Sequence, residues 1–183
     1  MKLKWIVWCV LAAGVMACSP ALNWRTLLVD EAGLQVLLPC KPDRAHRPVE
    51  MAGRVVELHM IGCDADGATF AVSHVAWPDP ATAPQALAQW QAAVLARMGA
   101  AAADTSVPWG GAGSMPMAGS MRIRARGAAP APGADAGKPV VAEAVWLARV
   151  QGPELRLVHA VVYQRGQSQA DVADTFLKGV TWQ

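Results

Sequence analysis

Residues 54–61 read RVVELHMI, and residues 68–75, shortly after them, read ATFAVSHV. Both runs are rich in β-branched and apolar residues, which favour extended strands. The cluster Asp64-Ala65-Asp66-Gly67 between them is typical of a tight turn. The two runs therefore predict a β-hairpin, with Cys63 at its tip.

Further strands lie on both sides of this hairpin. GLQVLL at residues 33–38 predicts a strand that ends at Pro39. MRIRAR at residues 121–126 alternates apolar and basic residues, as a half-buried strand does. Residues 140–150 and 155–163 predict a second hairpin around the turn QGPE.

Two segments predict helices. Thr82-Ala83-Pro84-Gln85 resembles a capping box with proline in the first turn. The apolar residues that follow share one face of a helix that ends near Gly99: Leu87, Trp90, Val94, Leu95 and Met98. A second helix follows Ser168 and ends at Gly179. The predicted fold class is α+β, a mostly antiparallel β-sheet packed with one long helix and a C-terminal helix.

The element order and one motif resemble a known family. GLQVLLPCKP at residues 33–42 looks like the G-hydrophobic-x-V-x-hydrophobic-P-x-x-P opening of the PsbP-like α/β sandwich domains of bacterial exported proteins. The resemblance covers residues 24–183 and implies one PsbP-like domain over residues 26–183. It also implies a role in binding or assembly, which is how members of that family mainly act. No residues match the family's known interfaces.

The N-terminus predicts export. Lys2 and Lys4 precede an apolar run over residues 5–15, which is typical of a signal peptide, here residues 1–17. Cys18 follows Ala17, and this resembles the end of bacterial lipoprotein signals. That resemblance implies cleavage before Cys18, attachment of a diacylglyceryl group to its thiol and a tether over residues 18–25.

The alternative is an ordinary signal peptide, because Val15 and Ala17 also fit the small-x-small rule of the non-lipid peptidase. In the lipoproteins that this signal resembles, the residue after the cysteine influences sorting between the two membranes. Ser19 at this position favours the outer membrane. The predicted location is therefore periplasmic, with the lipid on Cys18 as the membrane contact.

Charge argues against some partners. The chain has 16 basic and 14 acidic residues, and the excess of two is matched by Lys2 and Lys4 in the predicted signal. The remaining chain is near neutral, so binding to nucleic acid, or to anionic lipid by charge alone, is not expected. The roughly 165 residues after the signal suit one domain.

Two of the four cysteines are predicted to form a disulfide. Cys9 leaves with the signal and Cys18 is the lipid site, so Cys40 and Cys63 remain. An oxidising compartment favours a bond between them. A metal pair or redox dithiol usually shows C-x-x-C spacing or nearby histidines, and the 22 intervening residues argue against both.

No catalytic motif is apparent, so the chain is not expected to be an enzyme. Four isolated histidines, His46, His59, His74 and His159, occur without a nucleophile elbow or a paired acid. His59 and His74 are predicted to face each other across the hairpin as a polar pair. Two histidines without a third ligand make a poor metal site, so neither a metal there nor a cofactor is expected.

Met115, Met117 and Met121 give an alternative, since clustered thioethers suit copper(I) in an oxidising compartment. Their spacing is loose, and methionine also fills irregular cores.

The predicted partner-binding surface combines Trp109 with Arg122, Arg124 and Arg126, because aromatic residues beside arginines are common in interface hot spots. A row of arginines is also typical of a solvated strand face, or of an edge strand that the charges protect against aggregation. The sequence thus predicts a non-catalytic envelope lipoprotein that binds a protein or another envelope component, with copper binding as the alternative.

Overall fold

A computed structural model of the protein describes residues 21–131 and 135–183. The predicted signal peptide and Cys18 lie outside the described residues. In chain order the elements are β1 (Arg25–Val29), a 3-10 helix (Asp30–Ala32), β2 (Leu34–Leu38), β3 (Asp43–Met51), β4 (Arg54–Ala65), β5 (Ala68–Trp77), α1 (Ala83–Arg97), β6 (Thr105–Pro108), β7 (Met121–Ala128), β8 (Pro139–Gln151), β9 (Glu154–Arg165), α2 (Ala170–Lys178) and β10 (Thr181–Trp182).

The predicted α+β class with one long helix is wrong. Half of the described residues are in strands, which form two antiparallel sheets, and only 17% are helical. The helix expected to dominate, α1, has 15 residues, and α2 has nine. The prediction underestimated the strands: it missed β3 altogether, because β3 is polar and contains Pro48.

The seven-stranded sheet has the order β3-β4-β5-β9-β8-β7-β6, and the three-stranded sheet has the order β1-β2-β10. The predicted β4–β5 hairpin is confirmed. Its turn is Asp66-Gly67, and both residues have positive φ, which a type I′ turn requires. Cys63 pairs with Phe70 inside the hairpin, so it is not at the tip. Pro48 is tolerated because β3 is an edge strand.

The seven-stranded sheet is buried on both faces, so its central strands are almost continuously apolar. We call the side covered by α1 the first face; Leu87, Trp90 and Trp146 belong to its core. The second face is covered by the three-stranded sheet and α2, with Phe70 and Phe176 in its core. The molecule therefore has three layers around two apolar cores.

The predicted disulfide is confirmed. Cys40, just after β2, is bonded to Cys63 of β4, with their Cα atoms 6.0 Å apart. The bond thus ties the small sheet to the large one. Part of the predicted tether also contacts the fold, since the Trp24 ring packs edge-on against Phe70 at a centroid distance of 6.0 Å.

The helix α1 begins as predicted but without the predicted capping box. The Thr82 side chain makes no capping hydrogen bond. Its hydroxyl instead accepts a hydrogen bond from Nε1 of Trp77 and donates to Asp79. Within the described residues, neither helix has the length and apolarity needed to cross a bilayer.

Candidate functional site

A cavity of about 430 Å³ lies on the first face of the large sheet, between α1 and strands β4, β5 and β9. This volume is within the range of about 300–1,000 Å³ that is usual for small-molecule pockets. Much of its wall is apolar and comes from Leu58, Trp90, Val94 and Val161. It exists because small side chains, including Ala71, face α1 across this part of the sheet.

His159 is the most unusual residue in the wall of this cavity. The alternation along β9 points it to the first face beside Leu157 and Val161, and it is only 4% exposed. Its ring stacks on Trp146 at 4.5 Å and lies 5.5 Å from Trp90. Burial lowers the pKa of His159 to about 3, so the imidazole is neutral near pH 7.

The Nε2 atom of His159 is buried and has no hydrogen-bond partner among the described residues. Ser73, also buried, is its cross-strand neighbour on β5 and lines the same cavity. Buried polar atoms in native proteins are nearly always hydrogen-bonded, to protein, water or ligand. The cavity therefore combines a largely apolar wall with two mostly buried polar residues, His159 and Ser73.

Four charged side chains also line the cavity, and the two acidic ones already have partners. Asp64 accepts a hydrogen bond from the Thr69 hydroxyl at 2.6 Å. Asp135 pairs with Lys138 at 2.7 Å and with Arg165 at 3.2 Å. The hydrogen bond from Lys138 is the main reason that the pKa of Asp135 is lowered.

The two basic residues of the wall are less engaged. Arg97 donates a hydrogen bond only to the Ala131 carbonyl among the described residues. Among the described residues, Arg47 has no partner for a side-chain hydrogen bond or an ion pair. The charge available to a ligand is therefore positive.

A row of histidines crosses strands β3, β4 and β5. His46 is paired with His59, and His59 with His74, so the predicted pairing of His59 and His74 is confirmed. Their rings are stacked, with centroids 5.8 Å apart for the first pair and 5.1 Å for the second. Sequence analysis missed the acidic neighbour of this row, Glu31, which has an oxygen 3.8 Å from Nε2 of His74.

The three histidines differ in environment. His46 is exposed, and its Nδ1 lies 2.7 Å from Oε1 of Glu57. His74 is 2% exposed, and burial, followed by the charge of Arg156, lowers its pKa to about 4. A cavity of about 210 Å³ borders the row and Glu31.

The structure brings together part of the predicted partner-binding surface. The Arg122 guanidinium lies 5.3 Å from the centre of the Trp109 ring. However, Arg122 is largely buried and bonds to Glu143 and Asp174. Trp109 is half-buried, and it packs against the core of the second face.

The other two arginines of the row differ from Arg122 and from each other. Arg124 is half-buried, and its Nε has no partner within the described segments. Arg126 is exposed and pairs with Asp104 at 2.8 Å. Their strand, β7, is not an edge strand, because β6 covers it.

Met115, Met117 and Met121 are each partly buried and pack against the core of the first face. This packing gives the three thioethers a structural role. Copper binding by them stays a prediction.

No family model and no curated protein matches this chain.

Proposed function

We propose that this protein is a non-catalytic, lipid-anchored envelope protein that binds a small anionic amphipathic molecule in the cavity beneath α1. One observation carries the proposal. The cavity has the volume and apolar wall of a ligand pocket, together with two arginines, Arg47 and Arg97, that have no ion-pair partner among the described residues.

The chemistry of the wall suggests the ligand class. An acyl or similar apolar chain would lie against Leu58, Val94 and Val161 and remove their surface from water. A carboxylate or phosphate head would pair with Arg47 or Arg97, because the two acidic residues of the wall are already engaged.

Binding is favoured over catalysis by the state of the buried histidines. A general base works best when its pKa lies near the operating pH. Burial holds the pKa of His159 near 3 and that of His74 near 4, far below that range. His46 and Glu57 form an exposed pair, but neither residue lines the cavity beneath α1. The export signal and the resemblance to PsbP-like domains support the envelope setting.

The test is a titration of the purified protein with cis-parinaric acid, a fluorescent fatty acid. We expect saturable binding at one molecule per protein. Val94→Phe fills the cavity and should weaken binding at least about tenfold, since lost contacts and steric overlap both oppose the chain. Ala88→Phe adds the same ring to the exposed side of the same helix, and it should bind as the wild type does.

The role of the head group is tested separately with the methyl ester of the same acid. Arg47→Gln should weaken binding of the acid and leave binding of the ester unchanged. If parinaric acid fails to saturate the wild type, or binds the Val94→Phe variant equally well, the proposed function is wrong.

An envelope protein as partner is a second proposal, favoured by the contact between Trp109 and Arg122. Because Arg122 is held by two carboxylates and Arg126 is paired with Asp104, the residues left for a partner are Arg124 and the exposed part of Trp109. The test is to crosslink the protein in the native envelope, to purify it and to identify the proteins crosslinked to it. Trp109→Ala combined with Arg124→Ala should lose a partner that the wild type retains; unchanged yield of every partner would refute this surface.

A further inference from the structure

We propose that Glu31, His59 and His74 form a binding site for a divalent transition-metal ion of the zinc type. One ligand atom from each residue lies within 4.8 Å of the other two. Zinc–ligand bonds of about 2.0–2.2 Å in a tetrahedron place neighbouring ligand atoms about 3.3–3.6 Å apart. The 3.8 Å between Oε1 of Glu31 and Nε2 of His74 is already close to that spacing.

Each ligand is positioned by a different part of the fold. The register of β4 and β5 places His59 opposite His74, with ring planes only 2° from parallel. Glu31 lies in the 3-10 helix between β1 and β2, so the small sheet carries it over the second face of the large sheet. The third ligand thus comes from a distant stretch of chain.

The state of His74 points independently to a ligand. Its side chain is almost fully buried, and Nδ1 has no hydrogen-bond partner among the described residues. Its Nε2 is 3.8 Å from Glu31, which is too long for a hydrogen bond. An ion bound to Nε2 would therefore give this nitrogen a partner that it lacks among the described residues. The adjoining cavity of about 210 Å³ has room for an ion and water.

The ligand set selects the class of ion. Two imidazoles and one carboxylate suit zinc and its first-row neighbours, whereas magnesium and calcium prefer oxygen ligands. Three protein ligands leave a fourth position for water or another group. Val29 and Ile61, both buried, provide apolar surroundings.

Two cationic neighbours oppose the ion: Arg156, whose charge acts on His74, and Arg44. Arg44 lies 3.5 Å from the same Glu31 oxygen, and both side chains are about half exposed. Such a pair contributes little to stability, so Arg44 can turn to solvent when the ion binds. His46 stacks on His59 but is engaged by Glu57, so it is not assigned as a ligand.

The experiment is calorimetric titration of the untagged protein with Zn²⁺, with Ca²⁺ as the comparison ion. We expect one Zn²⁺ per protein and no Ca²⁺ binding at this site. His59→Ala and Glu31→Gln should each weaken Zn²⁺ binding by at least about 10–100-fold, the range already seen when supporting residues of metal sites are changed. His46→Ala is the matched control and should stay within about threefold of the wild type.

Substitution of Co²⁺ gives a second readout, because strong visible absorption reports tetrahedral coordination and should be lost in His59→Ala. His74→Ala removes a buried side chain and can prevent folding. In that case the variants at His59 and Glu31, which are half exposed, still test the site. The site is refuted if the wild type does not bind Zn²⁺ at one equivalent, if His59→Ala and Glu31→Gln bind it unchanged, or if His46→Ala loses as much affinity as they do.

Discussion

Arg122 on β7 donates to Asp174 on α2 across 2.6 Å, and so joins the large sheet to the C-terminal helix. The same guanidinium nitrogen also bonds to Glu143 of β8, which is only 5% exposed. Burial by itself lowers the pKa of Arg122, but the hydrogen bonds to Glu143 and Asp174 outweigh it and raise that pKa. Arg122 was predicted from the sequence to contact a partner, but its contacts with Glu143 and Asp174 give it a structural role.

We expect Arg122→Ala to lower the free energy of unfolding by about 2–4 kcal/mol, because it leaves the Glu143 carboxylate buried without its cation. Arg126→Ala is the control on the same strand, where the exposed pair with Asp104 is worth less than about 1 kcal/mol. Urea unfolding of both variants checks this. Equal losses in the two would contradict the structural role of Arg122.

The disulfide should contribute to stability in proportion to the loop it closes. Cys40 and Cys63 are 23 positions apart, and loops of this size correspond to roughly 3 kcal/mol in the chain-entropy description. Replacing both residues by Ala should therefore lower the free energy of unfolding by about 2–4 kcal/mol. Alkylation of the denatured, unreduced protein provides the direct check: labelling of Cys40 and Cys63 would mean that the bond is absent in solution.

Stability should fall in mild acid because of His159. Its pKa is lowered from 6.5 to about 3 by burial, so the unfolded chain binds more protons than the folded one between these two values. The stabilisation is therefore complete above pH 6.5 and is lost as the pH falls towards 3. Between pH 7 and pH 5 this one group should cost about 2 kcal/mol.

Urea unfolding at pH 7 and pH 5 measures that loss. His159→Phe should lose less stability than the wild type over this interval, by about 2 kcal/mol. Val161→Ala removes a non-titrating side chain from the same strand and should shift stability equally at both values. A His159→Phe variant with the wild-type dependence on pH would show that His159 is not the source.

The lipid anchor is predicted from the sequence around Cys18. Mass spectrometry of the mature N-terminus should find a diacylglyceryl group on that cysteine, and Cys18→Ala should release or mislocalise the protein. Cleavage at another residue, with an unmodified Cys18, would support the ordinary signal peptide instead.

The parts of the fold that sequence analysis predicted have strong local signals. The β4–β5 hairpin combines apolar strands with Asp66-Gly67, whose backbone suits the turn. The strand β3 lacks such a signal, because its residues are mostly exposed and polar and its pairing comes from β4. The strands β1, β3 and β6 were not predicted, and with them the fold is mostly β and not α+β.

The candidate sites depend on contacts between distant parts of the chain. Nothing near His59 in the sequence indicates Glu31, because the small sheet must fold over the large one before they meet. Likewise, His159 looks isolated in the sequence. Only its place in the alternation of β9, between apolar residues that face α1, indicates that it is buried.

We propose above that the cavity beneath α1 binds an anionic amphipathic molecule. The most direct measurement is methyl NMR of the intact protein during titration with dodecanoate. We expect saturable shifts at Leu58, Val94 and Val161, which line the cavity, and none at the exposed Leu28 and Val55. Equal shifts at the exposed methyl groups, or no shifts in the cavity, would contradict it.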